Sequence, residues 1–403
     1  MNASPGRKPR RNSPRILFLR FGYFLERELM AAFALTGADV TAFWPEREAA
    51  PGAQGYVTSL LERIQAHRPD TLLSINFLGG DLEGPLMDLL NKLRLTFATW
   101  FVDSPELFLH GRSHLTSTRS VLFCCDPDAR TKLEPMGFDN VHHLPLAADS
   151  TRVDLEAPIA TSGTTLPVSF VGSNWVDKLG RTLCNFNFPR GLLRHYRSAG
   201  WALAQGDYQS DTLSCLQKRY PKFATAVAPL SASDRRGALH LACWEANRAY
   251  RQHCVSRLAP FNATIVGDRH WQRQLGPLAS QFSLHPAIGY YTPDLPRLYR
   301  ASTINFACSS TQMPGAVTQR AFDVPAAGGF LLTDRRRQMD ELFEPDVESA
   351  CYDTPEDIPE AVARWSKDTT RARAVTRAAR KRIAAEHTYV HRVRRMIDIL
   401  CAQ

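Results

Sequence analysis

Short apolar runs alternate with helix-periodic stretches through the first third of the chain. The run Ile16–Phe21 meets Gly22, a stretch with helical spacing follows, and a second run, Val40–Trp44, closes the unit. That pattern predicts strand, turn, helix, strand. Further strands are expected at Thr71–Phe77, Phe97–Val102, Val121–Cys124 and Val141–Leu146, with helices over Leu82–Leu93 and Asp128–Met136. Alternation of this kind implies a parallel sheet covered on both faces.

From Ala147 to Thr165 the chain turns polar and rich in turn residues, as a linker does. A second series then opens with the strand Leu166–Val171. A helical section follows over about 179–258 and includes the amphipathic stretch Asp234–Arg257. Strands return at Ala263–Val266, Phe282–His285, Thr303–Ala307, Phe330–Thr333 and Ser349–Tyr352, and a helix is expected at Thr354–Trp365. The fold class is therefore α/β, with two Rossmann-like, doubly wound domains facing each other. The boundaries read as a basic disordered tail at 1–14, an N-terminal domain at 15–147, a linker at 148–165, a C-terminal domain at 166–385 and a terminal helix at 386–403. Ligands of such sheets bind beyond the carboxyl ends of the strands, here in the interdomain cleft.

Composition narrows the class. No run is long and apolar enough to span a membrane, and the first residues lack the apolar core of a secretory signal. Net charge is +9, and Arg7, Lys8, Arg10, Arg11 and Arg15 account for more than half of that excess. The basic balance suits an anionic ligand, a nucleic acid or an anionic membrane surface. Nine cysteines without a C-x-x-C pair read as free thiols in a reducing cytoplasm. No aromatic-basic strand motif or zinc finger points to nucleic acid. His387 and His391 have the i,i+4 spacing of zinc ligands, but no HExxH pattern or third ligand accompanies them. Arg335–Gln338 and the basic helix Arg371–Arg382 are the candidates for peripheral contact with a membrane face.

The chemistry concentrates in "PGAVTQRAFDVPAAGGFLLTD", Pro314–Asp334. A helix following Pro314-Gly315 would aim free backbone N–H groups at the end of the preceding strand, an anion site. Arg320 and Asp323 share a helix face. The guanidinium suits a phosphate, and the carboxylate suits two adjacent hydroxyls, as on a ribose. Pairing with each other on the surface is the competing expectation for these two residues. Gly328 and Gly329 let the backbone pass close to a ligand or the next strand.

This stretch, with "QMDELFEPDVESACYDTPEDIPEAVARW" and "EHTYVHRVRRMIDIL", resembles the C-terminal domain of the CgeB-like (spore maturation type) glycosyltransferases, within the retaining GT-B group. The resemblance extends weakly to "PVSFVGS", "TWFVDSPE" and "HHLPLAAD". It implies the GT-B fold with a helical insertion and a C-terminal crossover helix. It also implies a nucleotide-diphosphate sugar as substrate, no permanently bound cofactor or metal, and a glycan, lipid or protein acceptor. Asp323 matches the carboxylate that holds the ribose, whereas the earlier acidic residue of the group falls near Gly315 and is missing.

The donor-binding set implied is Gly172, Ser173 and Arg181 near the phosphates; Gly267, Asp268, Tyr290 and Tyr291 near the base, where Trp271 could stack; and Pro314, Gly315, Ala316, Gln319 and Asp323. On the acceptor side stand Gly22, Asn76 and Ser104. Arg320 and Asp103 are the catalytic candidates. Asp103 would act as a base in an inverting enzyme, or as a helix cap or acceptor contact in a retaining one. A non-catalytic nucleotide- or glycan-binding relative and a sugar-nucleotide epimerase are the alternative readings.

Overall fold

The computed structural model describes residues 13–80, 84–112, 115–116, 119–159, 165–205 and 211–403. The basic tail expected at 1–14 falls almost wholly outside the described residues, as does part of the linker. Six strands form the N-terminal sheet: β1 (Ile16–Leu19), β2 (Val40–Phe43), β3 (Thr71–Ile75), β4 (Thr96–Phe101), β5 (Ser120–Cys124) and β6 (Val141–His143). Six more form the second: β7 (Leu166–Val171), β8 (Thr264–Gly267), β9 (Ser283–Pro286), β10 (Ser302–Phe306), β11 (Leu331–Asp334) and β12 (Cys351–Tyr352). The orders are β2-β1-β3-β4-β5-β6 and β12-β11-β10-β7-β8-β9. Every pair is parallel, for example Leu73↔Ala98 and Phe306↔Phe170. Every residue of β1, β3 and β4 is buried, the signature of strands covered on both faces.

The expected strands are all present, with ends moved by a few residues. The helix expected at Leu82–Leu93 runs Pro85–Lys92, and the one expected at Thr354–Trp365 runs Ile358–Lys367. In the latter, Thr354 and Asp357 form a capping box around a preceding 3-10 turn, which delays the α-helix. Among the described residues six helices, from Val176–Asn185 to the 25-residue Ala232–Ser256, lie in the insertion between β7 and β8. Its core includes Leu192, Leu203, Phe223 and Leu241, together with Leu107 of the N-terminal domain. The insertion therefore bridges the cleft. Thr212 donates its backbone N–H and hydroxyl to the buried Glu106 carboxylate at 2.8 and 2.9 Å, and His240 bonds to the Leu107 carbonyl at 2.9 Å.

The terminal helix Tyr389–Cys401 crosses back and packs on the N-terminal helix Glu26–Thr36. Arg392 fixes it there by donating to the Pro145 and Leu146 carbonyls at 2.8 and 3.0 Å. One apolar core runs through both domains at this point, joining Phe18, Leu29 and Trp100 to Ala316, Phe322 and Val393. The two sheets thus meet with the carboxyl ends of their central strands across a narrow cleft.

Candidate active site in the interdomain cleft

The C-terminal wall starts at the turn after β7. Gly172, Ser173 and Asn174 lead into Trp175, which holds a left-handed φ of 70°. Such a conformation in a bulky residue costs energy and marks a constrained place. Asp268, at the end of β8, buttresses the turn by accepting from the Asn174 backbone at 2.8 Å. Trp271 donates to the Gly172 carbonyl at 2.9 Å. Gly267 allows this closeness, because a Cβ there would overlap the Gly172 carbonyl oxygen.

Onto this turn comes Arg251, from the long insertion helix. It is buried, and its Nη1 donates to the Ser173 carbonyl at 2.9 Å. Its Nε is buried without a partner, and so is the Nε of Arg320. Burial, and also the charge of Arg320, lower the pKa of Arg251. Lys178 adds a third cation, its Nζ lying 4.5 and 4.6 Å from the ring centres of Trp175 and Trp244. Burial lowers its pKa, with Arg181 and Arg251 contributing in the same direction and Asp103 opposing. Three cations gathered where water is scarce, two with a donor unsatisfied, form a site short of an anion. The Nδ2 atoms of Asn174 and Asn247 are buried donors without partners as well.

The helix Arg320–Ala326 forms the next part of the wall. Among the described residues neither Arg320 nor Asp323 makes an ion pair, so the competing expectation of a surface pair fails. Asp323 instead accepts from Tyr290 Oη at 2.9 Å and Gln319 Nε2 at 2.8 Å. Burial raises its pKa to about 6, with those two bonds opposing the rise. Gln319 is held by the Tyr389 hydroxyl at 2.8 Å and the Ala147 carbonyl at 2.7 Å. This places the carboxylate beside the hinge between the domains.

The N-terminal wall centres on Asp103, at the exit of β4. Its carboxylate accepts from Tyr23 Oη at 2.7 Å, Asn76 Nδ2 at 3.0 Å and, across the cleft, Gln312 Nε2 at 2.8 Å. Asn76, with φ 50°, turns its carbonyl oxygen to the backbone N–H groups of Val102 and Asp103 at 2.9 and 3.2 Å. The β4 exit is thereby rigid, and Asp103 faces the opposite wall.

Residues 248–398, which carry Arg251, Gln312, Arg320 and Asp323, match a protein family described as glycosyl transferase-like. No curated protein sequence matches the chain. A glycosyltransferase from Rickettsia africae superposes with a TM-score of 0.56 at 9% identity, covering 97% of this chain and 98% of its own. A sucrose-phosphate synthase from Thermosynechococcus elongatus gives 0.55 at 9% identity, with 95% and 97% covered. Anabaena HepE in complex with UDP-glucose gives 0.53 at 13% identity, with 97% and 100% covered. The fold is GT-B.

Within this GT-B frame several expectations from the sequence change. The helix expected to begin at Ala316 begins at Arg320, so Pro314, Gly315 and Ala316 present no helix N-terminus to an anion. Gln338 holds this loop, donating its N–H to the Gly315 carbonyl at 3.1 Å and accepting from Val317 N at 2.7 Å. It draws the loop onto the exit of β5. There the carboxylates of Asp128 and Asp126 would lie 2.5 and 2.8 Å from a Cβ on residue 315. Two acids of the N-terminal domain thus crowd the place where an acidic side chain is missing.

Asp103 does not cap a helix. The N-cap of Glu106–Leu109 is Pro105, and Ser104 is buried beside it with its carbonyl accepting from Leu107 N. At the turn of Gly22, expected on the acceptor side, Glu26 accepts from the backbone of Phe21, Gly22 and Tyr23 at 2.7 to 3.1 Å and occupies these donors. Trp271 is 2% exposed and packs on Phe170, so its ring has no face for a base. Tyr290 and Tyr291 spend their hydroxyls on Asp323 and on Glu28 of the N-terminal domain. Arg181 is exposed at the rim.

The remaining motifs are structural. His387 bonds to the Leu342 carbonyl at 3.0 Å and His391 to Thr388 Oγ1 at 2.7 Å. The cations at 335–337 are consumed by Asp340, Asp353, Asp334, Asp128 and Glu341, so this run is not a free basic surface. No helix of the described residues is long and apolar enough to cross a membrane.

Sequence reasoning missed Arg251, Lys178, Tyr23 and Gln312. A signal existed for Arg251. Asn247 and Arg251 stand four residues apart on a helix face otherwise lined by Cys243, Trp244, Cys254 and Val255. Both are buried, and Asn247 accepts from Thr311 N at 2.7 Å in the loop after β10.

Proposed function

We propose that the protein is a glycosyltransferase of the CgeB-like type that moves a sugar from a nucleoside-diphosphate sugar to a hydroxyl acceptor. The observation that carries this reading is the convergence of Arg251, Arg320 and Lys178 at the β7 turn, with the Nε atoms of both arginines unpartnered. A diphosphate supplies the anion that this cluster lacks. The structural neighbours bound to UDP-glucose support the same donor class.

The donor lies along the C-terminal wall. Its diphosphate sits against Gly172, Ser173, Arg251 and Arg320. Its ribose hydroxyls reach Asp323, displacing Tyr290 or Gln319 from the carboxylate. Its base lies towards Tyr290 and Tyr291. Asp103 of the opposite wall orients the acceptor hydroxyl. The acceptor oxygen bonds to the anomeric carbon as the bond from that carbon to the β-phosphate oxygen breaks, and the electron pair stays with the diphosphate. Fixed cations stabilise that developing charge more effectively than mobile water, and they do so without a metal ion. In the retaining course the hydroxyl proton passes to the departing phosphate oxygen, which asks no protein base of the site. The nine free thiols support a reducing, cytoplasmic location.

The test is ligand-observed NMR against UDP, GDP, ADP, CDP and dTDP, followed by turnover of the sugars of whichever nucleotide binds. Binding of one or more is expected. Failure of all five to bind at millimolar concentration would overturn the reading.

A further inference from the structure

The insertion carries a basic, acid-free surface. Between Lys178 and Gln205 there is no Asp or Glu, while Arg181, Arg190, Arg194 and Arg197 are all exposed. The helical segments Arg190–Leu193 and Tyr196–Ala204 follow each other almost without a break. Their inner face is apolar and buried through Leu192, Ala199 and Leu203. Their outer face runs Arg190, Leu193, Arg194, Arg197, Trp201, at helical spacing. Leu193 is 38% exposed and Trp201 is 40% exposed, two large apolar side chains interleaved with the arginines. Among the described residues, no carboxylate lies within ion-pair distance of Arg190, Arg194 or Arg197. On the neighbouring helix Ala232–Ser256, Glu245 packs against Gly200 and is itself held by Arg248 at 2.6 Å.

We infer that the outer face of residues 190–201 docks the protein on an anionic lipid bilayer. Charge complementarity decides the occupant. The three arginines meet phosphate headgroups, while Leu193 and Trp201 enter the headgroup region, where an indole is well placed. An acidic protein would match the charges but leave no distinctive role for the apolar pair. The same insertion rests on the N-terminal domain through Thr212 and Glu106, so docking ties the element that bridges the cleft to the membrane face.

Co-sedimentation of the full chain with vesicles of phosphatidylcholine alone, and with 30% phosphatidylglycerol, tests this. Binding to the anionic vesicles only is expected, with a loss of at least about tenfold in the Arg190→Gln/Arg194→Gln/Arg197→Gln variant. Trp201→Ala should weaken binding at high salt, where the apolar contribution remains. A second variant neutralises the tail through Arg7→Gln, Lys8→Gln, Arg10→Gln and Arg11→Gln. Lipid binding that survives the triple change but vanishes with the tail change overturns the proposal. So does binding of a polyanionic nucleic acid without any vesicle binding. An unchanged melting temperature in each variant shows that the fold is intact.

Discussion

Gln312 Nε2, on the C-terminal wall, donates to Asp103 Oδ1, on the N-terminal wall, at 2.8 Å. With Tyr23 and Asn76 on the other carboxylate oxygen, it fixes Asp103 only when the two domains are closed. The oxygen of the Gln312 amide is buried without a partner, so the residue gives little back to the fold.

Gln312→Ala should therefore leave stability and nucleotide affinity within about twofold of the parent protein, while lowering turnover at least about tenfold through a less ordered cleft. Calorimetric nucleotide titration and steady-state kinetics check both halves. Loss of nucleotide affinity would place Gln312 in the donor site instead.

The pKa of Asp323 is raised to about 6 from an ordinary value near 3.8. A carboxyl raised on folding favours the folded state while protonated, and that contribution disappears as pH rises through 6. From pH 4 to pH 7 the parent protein should lose stability relative to Asp323→Asn by on the order of 2 kcal/mol. Asp126, also raised to about 6, is common to both proteins and drops out of the difference. Denaturant melts across that range measure it, and a pH-independent difference would contradict it. Ribose hydroxyls donating to Asp323 favour the ionised form, so nucleoside affinity should fall below pH 6 in the parent protein and not in Asp323→Asn.

Gly267→Ala places a methyl group on the Gly172 carbonyl, a backbone atom that has no room to yield. A cost of about 1–3 kcal/mol is expected. The β7 turn would also shift, weakening nucleotide binding. Thermal melts with and without nucleotide separate the two effects. A variant as stable as the parent protein would show that the turn is looser than the structure has it.

Much of this architecture was legible in the sequence because buried parallel strands read as plain apolar runs, as in Thr71–Ile75 and Thr96–Phe101. The two facing sheets and the helical insertion followed from spacing and resemblance, whereas spacing alone left open whether Arg320 and Asp323 pair with each other. Arg251 did not. Its helix is Ala-rich and amphipathic, and nothing local tells that its far end reaches a turn some eighty residues earlier in the chain. The loop at Pro314–Ala316 was misread for a related reason. Its conformation is set by Gln338 and by Asp126–Asp128 of the other domain, contacts that no local pattern encodes.

The most direct test of the central claim is calorimetric titration of the tightest-binding nucleoside diphosphate, with its nucleoside as control. It is run on the parent protein, Arg251→Ala and Arg320→Ala. In the proposed complex each guanidinium meets a phosphate, so each substitution should weaken the diphosphate by about tenfold or more. The nucleoside should be unaffected. The melting temperature of Arg320→Ala should not fall, because its buried Nε has no partner, whereas Arg251→Ala also loses the bond to the Ser173 carbonyl and should melt somewhat lower. Diphosphate affinity unchanged in both variants would contradict the account.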